Sequence, residues 1–427
     1  MILSDSMKNR TKPAGIVSLP DAPVFYVPLT RYFGSDPRPL VSVGENVLKY
    51  QLIGKDFGSF SLKTHSPVSG EVCAIQEYIL ADHSRATVIQ IKNDFRETEV
   101  NLPRTDHETL SPEELLEWID DAGVAGQGGA QFPAAVKYRA GGAKIHTFII
   151  NGAECEPYLT ADYALMAERT EKLFRGIYIV NRILRAENII IAIERQNAEL
   201  REVFAPFLQK EAYAGYRVDI LPDAYPQGSE LQLIRSVTGT ELPRRLRPSE
   251  AGIIVSNVGT VCSICEAVVH QRPVISRIVT VSGEGAWRGG NFEVKIGTPV
   301  SHLLETLDIP LDGKTLVLGG PMMGRPVMDL TMPITKGSGG LLVLPEKTVR
   351  RENCISCGYC AEACPMRLMP MQYEALHRKG KYAAMLKYGL ESCIECASCE
   401  YVCPSNVPLM ESIRTGKNRL WETSDAC

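Results

Sequence analysis

The chain has 427 residues, 44% of them hydrophobic and 22% charged, with a formal net charge of −4 and 13 cysteines. That length allows several domains with real cores, and the mild acidity gives no reason to expect nucleic acid as a partner. Met1 to Arg10 has no apolar signal-peptide core, and no apolar run approaches the ~18 residues of a spanning helix. Thirteen cysteines, eight of them in two regular runs, fit a reducing cytoplasm, and membrane attachment, if any, would come through partners.

Residues 1–24 are polar and proline-containing and read as an irregular arm. From Val24 to Ile91, short Val, Ile and Leu runs are cut by Gly34, Gly44, Gly54, Gly58 and Gly70, which describes a small β domain over 25–105. The runs Val43 to Ile53 and Ser66 to Val72 resemble the half-motifs of biotinyl/lipoyl barrel-sandwich domains. No lysine stands at an obvious hairpin tip, so a scaffold is expected rather than a swinging-arm carrier.

Ser111-Pro-Glu-Glu114 marks a helix start, with a serine cap, proline in the first turn and glutamate three residues on. The glycine loop Gly126-Gln-Gly-Gly-Ala-Gln-Phe-Pro133 follows, then a short helix to about Ala140. Strand 146–151, helix 163–185, strand 188–194, helix 197–212 and strand 217–221 come next. This alternation predicts a parallel sheet clothed by helices within an α/β domain over 106–272. Residues 273–345 return to short strands at 278–282, 315–318 and 341–344 with one helix near 300–307, a small α+β module. A cysteine domain over 346–427 completes the multidomain chain, with helices at 370–389 and a short tail.

Its two runs, Cys354-x2-Cys357-x2-Cys360-x3-Cys364-Pro365 and Cys393-x2-Cys396-x2-Cys399-x3-Cys403-Pro404, have the spacing by which one polypeptide wraps two [4Fe–4S] cubanes. Three close thiolates serve one cube and the fourth, followed by proline, serves the other. Cys354, Cys357, Cys360 and Cys403 are thus assigned to one cluster, and Cys364, Cys393, Cys396 and Cys399 to its neighbour. Zinc would want two CxxC pairs, and disulfides a secretory context.

The glycine loop fails the Rossmann fingerprint, because Gln131 stands where the third glycine belongs and a helix precedes it. Alone it fits a tight turn as well as a phosphate cradle, in which backbone N–H groups, the next helix start and Lys137 would face an anion. The text from Gly126 to Lys137, then Ile150-Asn-Gly-Ala-Glu-Cys-Glu-Pro-Tyr158, Thr160-Ala-Asp162, Tyr225-Pro-Gln-Gly-Ser-Glu-Leu231, Asn257-Val-Gly-Thr260, Gly319-Gly-Pro-Met-Met-Gly324 and both cysteine runs resembles the RnfC family of the Rnf electron transport complex, collinearly over nearly the whole chain.

The resemblance implies a peripheral, NADH-reactive subunit on the cytoplasmic side of the cell membrane, in a complex that couples NADH/ferredoxin electron transfer to ion movement. Its partners would be the membrane subunits of an Rnf-type complex and, indirectly, ferredoxin or flavodoxin. The family is similar in turn to the flavin-carrying subunit of respiratory complex I, which implies a Rossmann-like FMN/NADH domain followed by a β-grasp (SLBB-like) module. Carried over by motif, Gly126, Gly128 and Gly129 would cradle the FMN phosphate with Lys137 nearby. Asn151, Glu154 and Asn257 would hold the isoalloxazine and ribityl groups, Phe132 would stack on nicotinamide or adenine, and Glu156 and Glu230 would contact NADH. Hydride transfer needs no protein acid or base, so no catalytic dyad is named.

Two departures stand out. The family has glycine where this chain has Gln131, which matters if that position needs φ > 0, and leucine where it has Gln127. Cys262 and Cys265 are unusual too, and fit either a CxxC redox or metal pair near the flavin or two small buried helix residues. Cys155 reads as a packed neutral thiol, and Cys73 and Cys427 carry no signal. A soluble flavin/iron–sulfur reductase of the cobalamin-reductase kind, and a relay protein without flavin, remain as alternatives.

Overall fold

The computed structural model describes residues 6–29, 36–58, 60, 62–81, 83–102, 105–243 and 246–424, the side chains of 421–424 excepted. Gly34 and Cys427 lie outside them. Among the described residues there are four sheets, and the one that positions everything else is parallel. Its strands lie in the order Tyr216–Leu221, Asn188–Glu194, Thr147–Gly152, Ile253–Asn257. The first three fall within a residue of expectation, and the fourth is an addition. Ile189 to Ile193 are all buried, as a strand covered by helices on both faces requires.

From Thr147–Gly152 the chain winds outward through the next two strands, then returns to lay Ile253–Asn257 on the other side of its starting strand. Such a reversal leaves a crevice beyond the C-terminal strand ends, because the connecting helices diverge there. Asn151 and Asn257 face each other in register at that point. Ahead of the sheet, Ser111 and Glu114 close a reciprocal capping box that starts helix Pro112–Asp121.

The predicted helix 163–185 is two helices, Ala161–Glu168 and Thr170–Leu184, because Arg169 leaves the helical backbone at φ −115° and the Thr170 hydroxyl donates to the Met166 carbonyl at 2.8 Å. Helix 197–212 shortens to Leu200–Leu208 between two tight turns.

The N-terminal β domain places a four-stranded and a three-stranded sheet around one core, in which Phe25, Val27, Ile53, Val72, Ile89 and Ile91 are inaccessible. Among its described residues the arm ahead of it is irregular except for one short strand. Ile16–Ser18 forms the parallel edge strand of the 273–345 module, pairing with Asn291 to Glu293. The rest of that mixed sheet comprises Gly290–Lys295, Ser276–Ser282, Gly340–Pro345, Lys314–Leu318 and Arg325–Pro326, with helix Val300–Thr306 against it.

In the cysteine domain, the region expected to be helical at 370–389 holds Pro370–His377 and a 3-10 segment, Tyr382–Tyr388. The expected short tail is instead a helix, Leu409–Ser424. Leu409, Met410 and Ile413 bury on the domain core, and Gly416 permits close approach: a Cβ there would lie 2.5 Å from the Met385 sulfur.

Helices Thr170–Leu184 and Val258–Val269 meet through Gly176, where a Cβ would stand 2.2 Å from the Val261 carbonyl oxygen. Because that obstacle is backbone, the helices must separate to admit it. Gly176→Ala is expected to destabilise the chain by about 1–3 kcal/mol despite its better helix propensity; an unchanged urea midpoint would contradict the close packing.

Candidate functional site

The crevice at the strand reversal opens into a cavity of about 700 Å³, well within the size of a nucleotide cofactor site. Its wall contains every residue carried over for FMN and NADH: Gly126, Gly128, Gly129, Phe132, Lys137, Asn151, Glu154, Glu156, Glu230 and Asn257. Distant parts of the chain complete it, including Leu80 and Ala81 from the N-terminal β domain and Arg277 from the following module.

The glycine loop is closed on itself by Gly126 N–H donating to the Phe132 carbonyl at 2.8 Å and Gln131 N–H to the Gly126 carbonyl at 3.0 Å. Gly129 has φ +103°, open only to glycine at low cost, and Gln131 sits in the left-handed region at φ +52°. Gln127 N–H donates to the Thr260 hydroxyl at 2.9 Å and its side-chain amide to Ser263 Oγ at 2.6 Å, so this glutamine ties the loop to helix Val258–Val269. The N–H groups of Gly128 and Gly129 have no acceptor among the described residues. Free donors on an open loop beside a lysine suit a phosphate-bearing group.

Several predicted contacts are engaged with the protein itself. Lys137 and Glu230 form an ion pair at 2.8 Å. The Phe132 ring lies 5.5 Å from that of Phe60, tilted by 58°. Asn151 donates to the Gly228 carbonyl at 2.8 Å, and Asn257 donates to Asp162 at 2.7 Å while accepting from Gly259 N–H. Glu154 accepts from the N–H groups of Asp162 and Tyr163 at the start of helix Ala161–Glu168. Glu156 accepts from Met322 N–H at 3.0 Å and Met323 N–H at 2.8 Å. A Cβ on Gly320 would fall 2.3 Å from that carboxylate, so the Gly319 to Gly324 turn needs glycine there to close over it.

Withdrawal from water governs the charges. Burial, reinforced by nearby Asp162, pushes Glu154 up to about 8; burial also raises Asp162 to about 6 and Glu156 to about 7. Lys8 of the N-terminal arm counters this, donating to the Glu154 carbonyl and standing 3.6 Å from Glu194. Arg277 donates to the Lys336 carbonyl at 2.5 Å, and burial lowers it to about 10.

Lys8, Asp162, Tyr225 and Arg277 were absent from the expected site. Asp162 and Tyr225 lie inside motifs already quoted and could have been found there. Lys8 and Arg277 carry no local pattern, since folding alone brings them in.

The two cysteine quartets are also brought together. Cys354, Cys357, Cys360 and Cys403 line one small space, and Cys364, Cys393, Cys396 and Cys399 line a second. Among the described residues no three His, Cys, Asp or Glu side chains converge tightly enough for a single metal ion. Each quartet instead surrounds a gap, as four corner ligands of a larger body would. Burial pushes the Cys393 thiol up to about 11 and raises Cys399 as well, so their thiolates need a cationic centre to be favourable.

Tyr225 joins the two regions. It is 2% exposed, lines the large cavity and donates its hydroxyl to the Cys396 carbonyl at 2.8 Å; Ile394 and Cys396 share the same cavity wall. Cys262 and Cys265 lie buried in their helix, outside that wall, and burial raises both thiols, Cys265 to about 12. Cys155 is likewise a neutral thiol, pushed up to about 12 and accepting from Gly228 N–H.

Comparison with known proteins matches the RnfC barrel sandwich hybrid domain at residues 2–96, the Nuo51 FMN-binding domain at 119–266 and the 4Fe-4S dicluster domain at 353–407. Proteins named as the C subunit of an ion-translocating oxidoreductase complex are similar along nearly the whole chain. The one from Rhodobacter capsulatus is 38% identical, covering 98% of this chain and 82% of its own. Those of Pseudomonas aeruginosa (41% identical, 97% of this chain) and Haemophilus influenzae (37%, 98%) are longer, with 54% and 65% of their lengths matched. A solved NAD+-reducing [NiFe]-hydrogenase shares the fold over 74% of this chain and 61% of its own, with a TM-score of 0.51 at 20% identity.

The raised carboxylates have a pH signature. Glu156 has a folded value of about 7 against 4.5 in the unfolded chain, so between those values the folded state binds more protons and stability falls as pH rises. Glu154 and Asp162 act in the same sense. The chain is expected to lose about 1–2 kcal/mol between pH 5 and pH 8 from Glu156, a figure reduced for the solvent in the cavity. Urea midpoints at the two pH values should differ less in Glu156→Gln than in the parent; equal differences would remove this carboxylate from the account.

Proposed function

The chain belongs to the RnfC family, the C subunits of ion-translocating oxidoreductase (Rnf) complexes, which carry FMN-binding and [4Fe–4S] domains, and from that premise we propose that it receives electrons from NADH in the large cavity and delivers them outward past its two cysteine quartets. As a member of such an oxidoreductase complex it works with other Rnf subunits, and no helix among the described residues is long and apolar enough to cross a membrane. The observation that carries the proposal is the wall shared by the ten nucleotide-contact candidates and Cys396, fastened by Tyr225.

A bound flavin supplies the exchange between two-electron hydride chemistry and single electrons. The protein's part is placement. Gly126, Gly128 and Gly129, with Lys137, would hold the phosphate end; Asn151, Glu154 and Asn257 would shape the end where the strands stop; Phe132, Glu156 and Glu230 would border the dinucleotide. Lys137 and Glu230, paired at 2.8 Å, would exchange partners as the ligands enter.

Cys364, Cys393, Cys396 and Cys399 form the inner ligand set, adjoining the cavity. Cys354, Cys357, Cys360 and Cys403 form the outer set, whose Cys354 and Cys357 are exposed. Electrons therefore approach the surface at residues 354–359, where Ile355 and Tyr359 are also exposed. The acceptor there is a membrane subunit on the cytoplasmic face, with ferredoxin or flavodoxin further along. The boundaries 25–105, 106–272, 273–345 and 346–427, with Rossmann-like and β-grasp (SLBB-like) labels for the middle pair, complete the reading.

Anaerobically purified protein should contain about eight irons and one FMN per chain, and NADH should bleach the flavin absorbance; intact clusters without flavin would replace the proposal by a relay. Cys396→Ser should retain flavin and its bleaching with about half the iron. Tyr225→Phe should leave bleaching by NADH intact but slow cluster reduction, followed by freeze-quench electron paramagnetic resonance. Cluster reduction at the parent rate would show that this hydrogen bond does not hold the inner quartet in place.

A further inference from the structure

The two glutamines of the glycine loop have different fates. Gln127 is engaged by the protein, its backbone N–H by Thr260 and its side-chain N–H by Ser263. Gln131 differs. Its Oε1 is buried and has no hydrogen-bond partner among the described residues, and the residue is one of those lining the nucleotide cavity. Its backbone sits at φ +52°, a conformation that favours glycine. Its seat against the neighbouring module exists only because residue 337 is glycine: a Cβ there would lie 2.8 Å from Cγ, Cδ and Nε2 of Gln131. A strained backbone, a reserved seat and an unanswered acceptor coincide in one residue. An acceptor removed from water with no donor is costly, and a ligand that brings a donor recovers that cost.

We infer that Gln131 is a flavin-contact residue, its Oε1 accepting a hydrogen bond from an O–H or N–H of the bound flavin. The inference rests on the flavin reading of the cavity. The phosphate is not the partner, because at neutral pH it chiefly accepts, and the same loop offers it the free N–H groups of Gly128 and Gly129. The donor is a ribityl hydroxyl or the ring imide N–H, groups that FMN and riboflavin share.

The test is flavin affinity, measured by fluorescence quenching on the full chain after its flavin has been removed, for the parent, Gln131→Met, Gln131→Glu and Gln131→Gly. Methionine keeps the length and removes the acceptor, and should weaken FMN and riboflavin by a similar factor of about 5–10. Glutamate keeps an acceptor and should restore most of the loss. Glycine should raise the thermal midpoint by relieving the backbone, yet still weaken flavin. Binding by the glycine and methionine variants as tight as the parent's would overturn the inference. So would unchanged flavin affinity with a raised KM for NADH, which would assign the contact to the dinucleotide. If the parent itself bound no flavin, the cavity reading would fail first, and the two failures are thereby distinguished.

Discussion

The reversal of strand order beside Thr147–Gly152 is the constraint on which the remaining geometry depends. It parts the helices above Asn151 and Asn257 and so opens an unfilled space at the strand ends. Both asparagines spend their amides on fixing the adjoining turns, Asn151 on Gly228 and Asn257 on Asp162 and Gly259. The carboxylates that follow are held by backbone N–H groups at helix and turn starts. Their raised proton affinity is a consequence of being gathered at a place from which water has been partly removed.

Three buried cations from separate segments then hold the modules to this centre. Lys8 enters from the N-terminal arm beside Glu154 and Glu194. Arg277 reaches back toward the Gln127 carbonyl, and Lys336 donates to the carbonyls of Lys63 and Gly123 at 2.8 and 2.7 Å, joining three domains at one ammonium. Arg277 and Lys336 hydrogen-bond to carbonyls, and Lys336 has no carboxylate beside it to offset its burial, so it falls to about 7. Cavity shape and domain arrangement are consequently one property.

The cysteine domain repeats itself in structure as in text. Leu368 N–H approaches the Cys364 sulfur at 3.4 Å, and Val407 N–H approaches that of Cys403 at the same distance. The tail helix braces the second run, Lys417 donating to the Cys393 carbonyl and to Glu395 at 2.7 Å. It went unforeseen because its apolar stripe is sparse and passes through Gly416, a weak helix former whose purpose is visible only against Met385.

The cysteine spacing, the capping box and the β–α alternation were legible from the amino-acid order alone, since each depends on neighbours a few residues apart. The motif text also named ten of the residues that line the cavity. Tertiary structure alone decided which quartet adjoins that cavity, that residues 16–18 complete a sheet begun more than 250 residues later, and that Lys8 and Arg277 face the same carboxylates. Those outcomes follow from the docking of separate domains, where contacts are set by shape and burial over long sequence separations and leave no period to read.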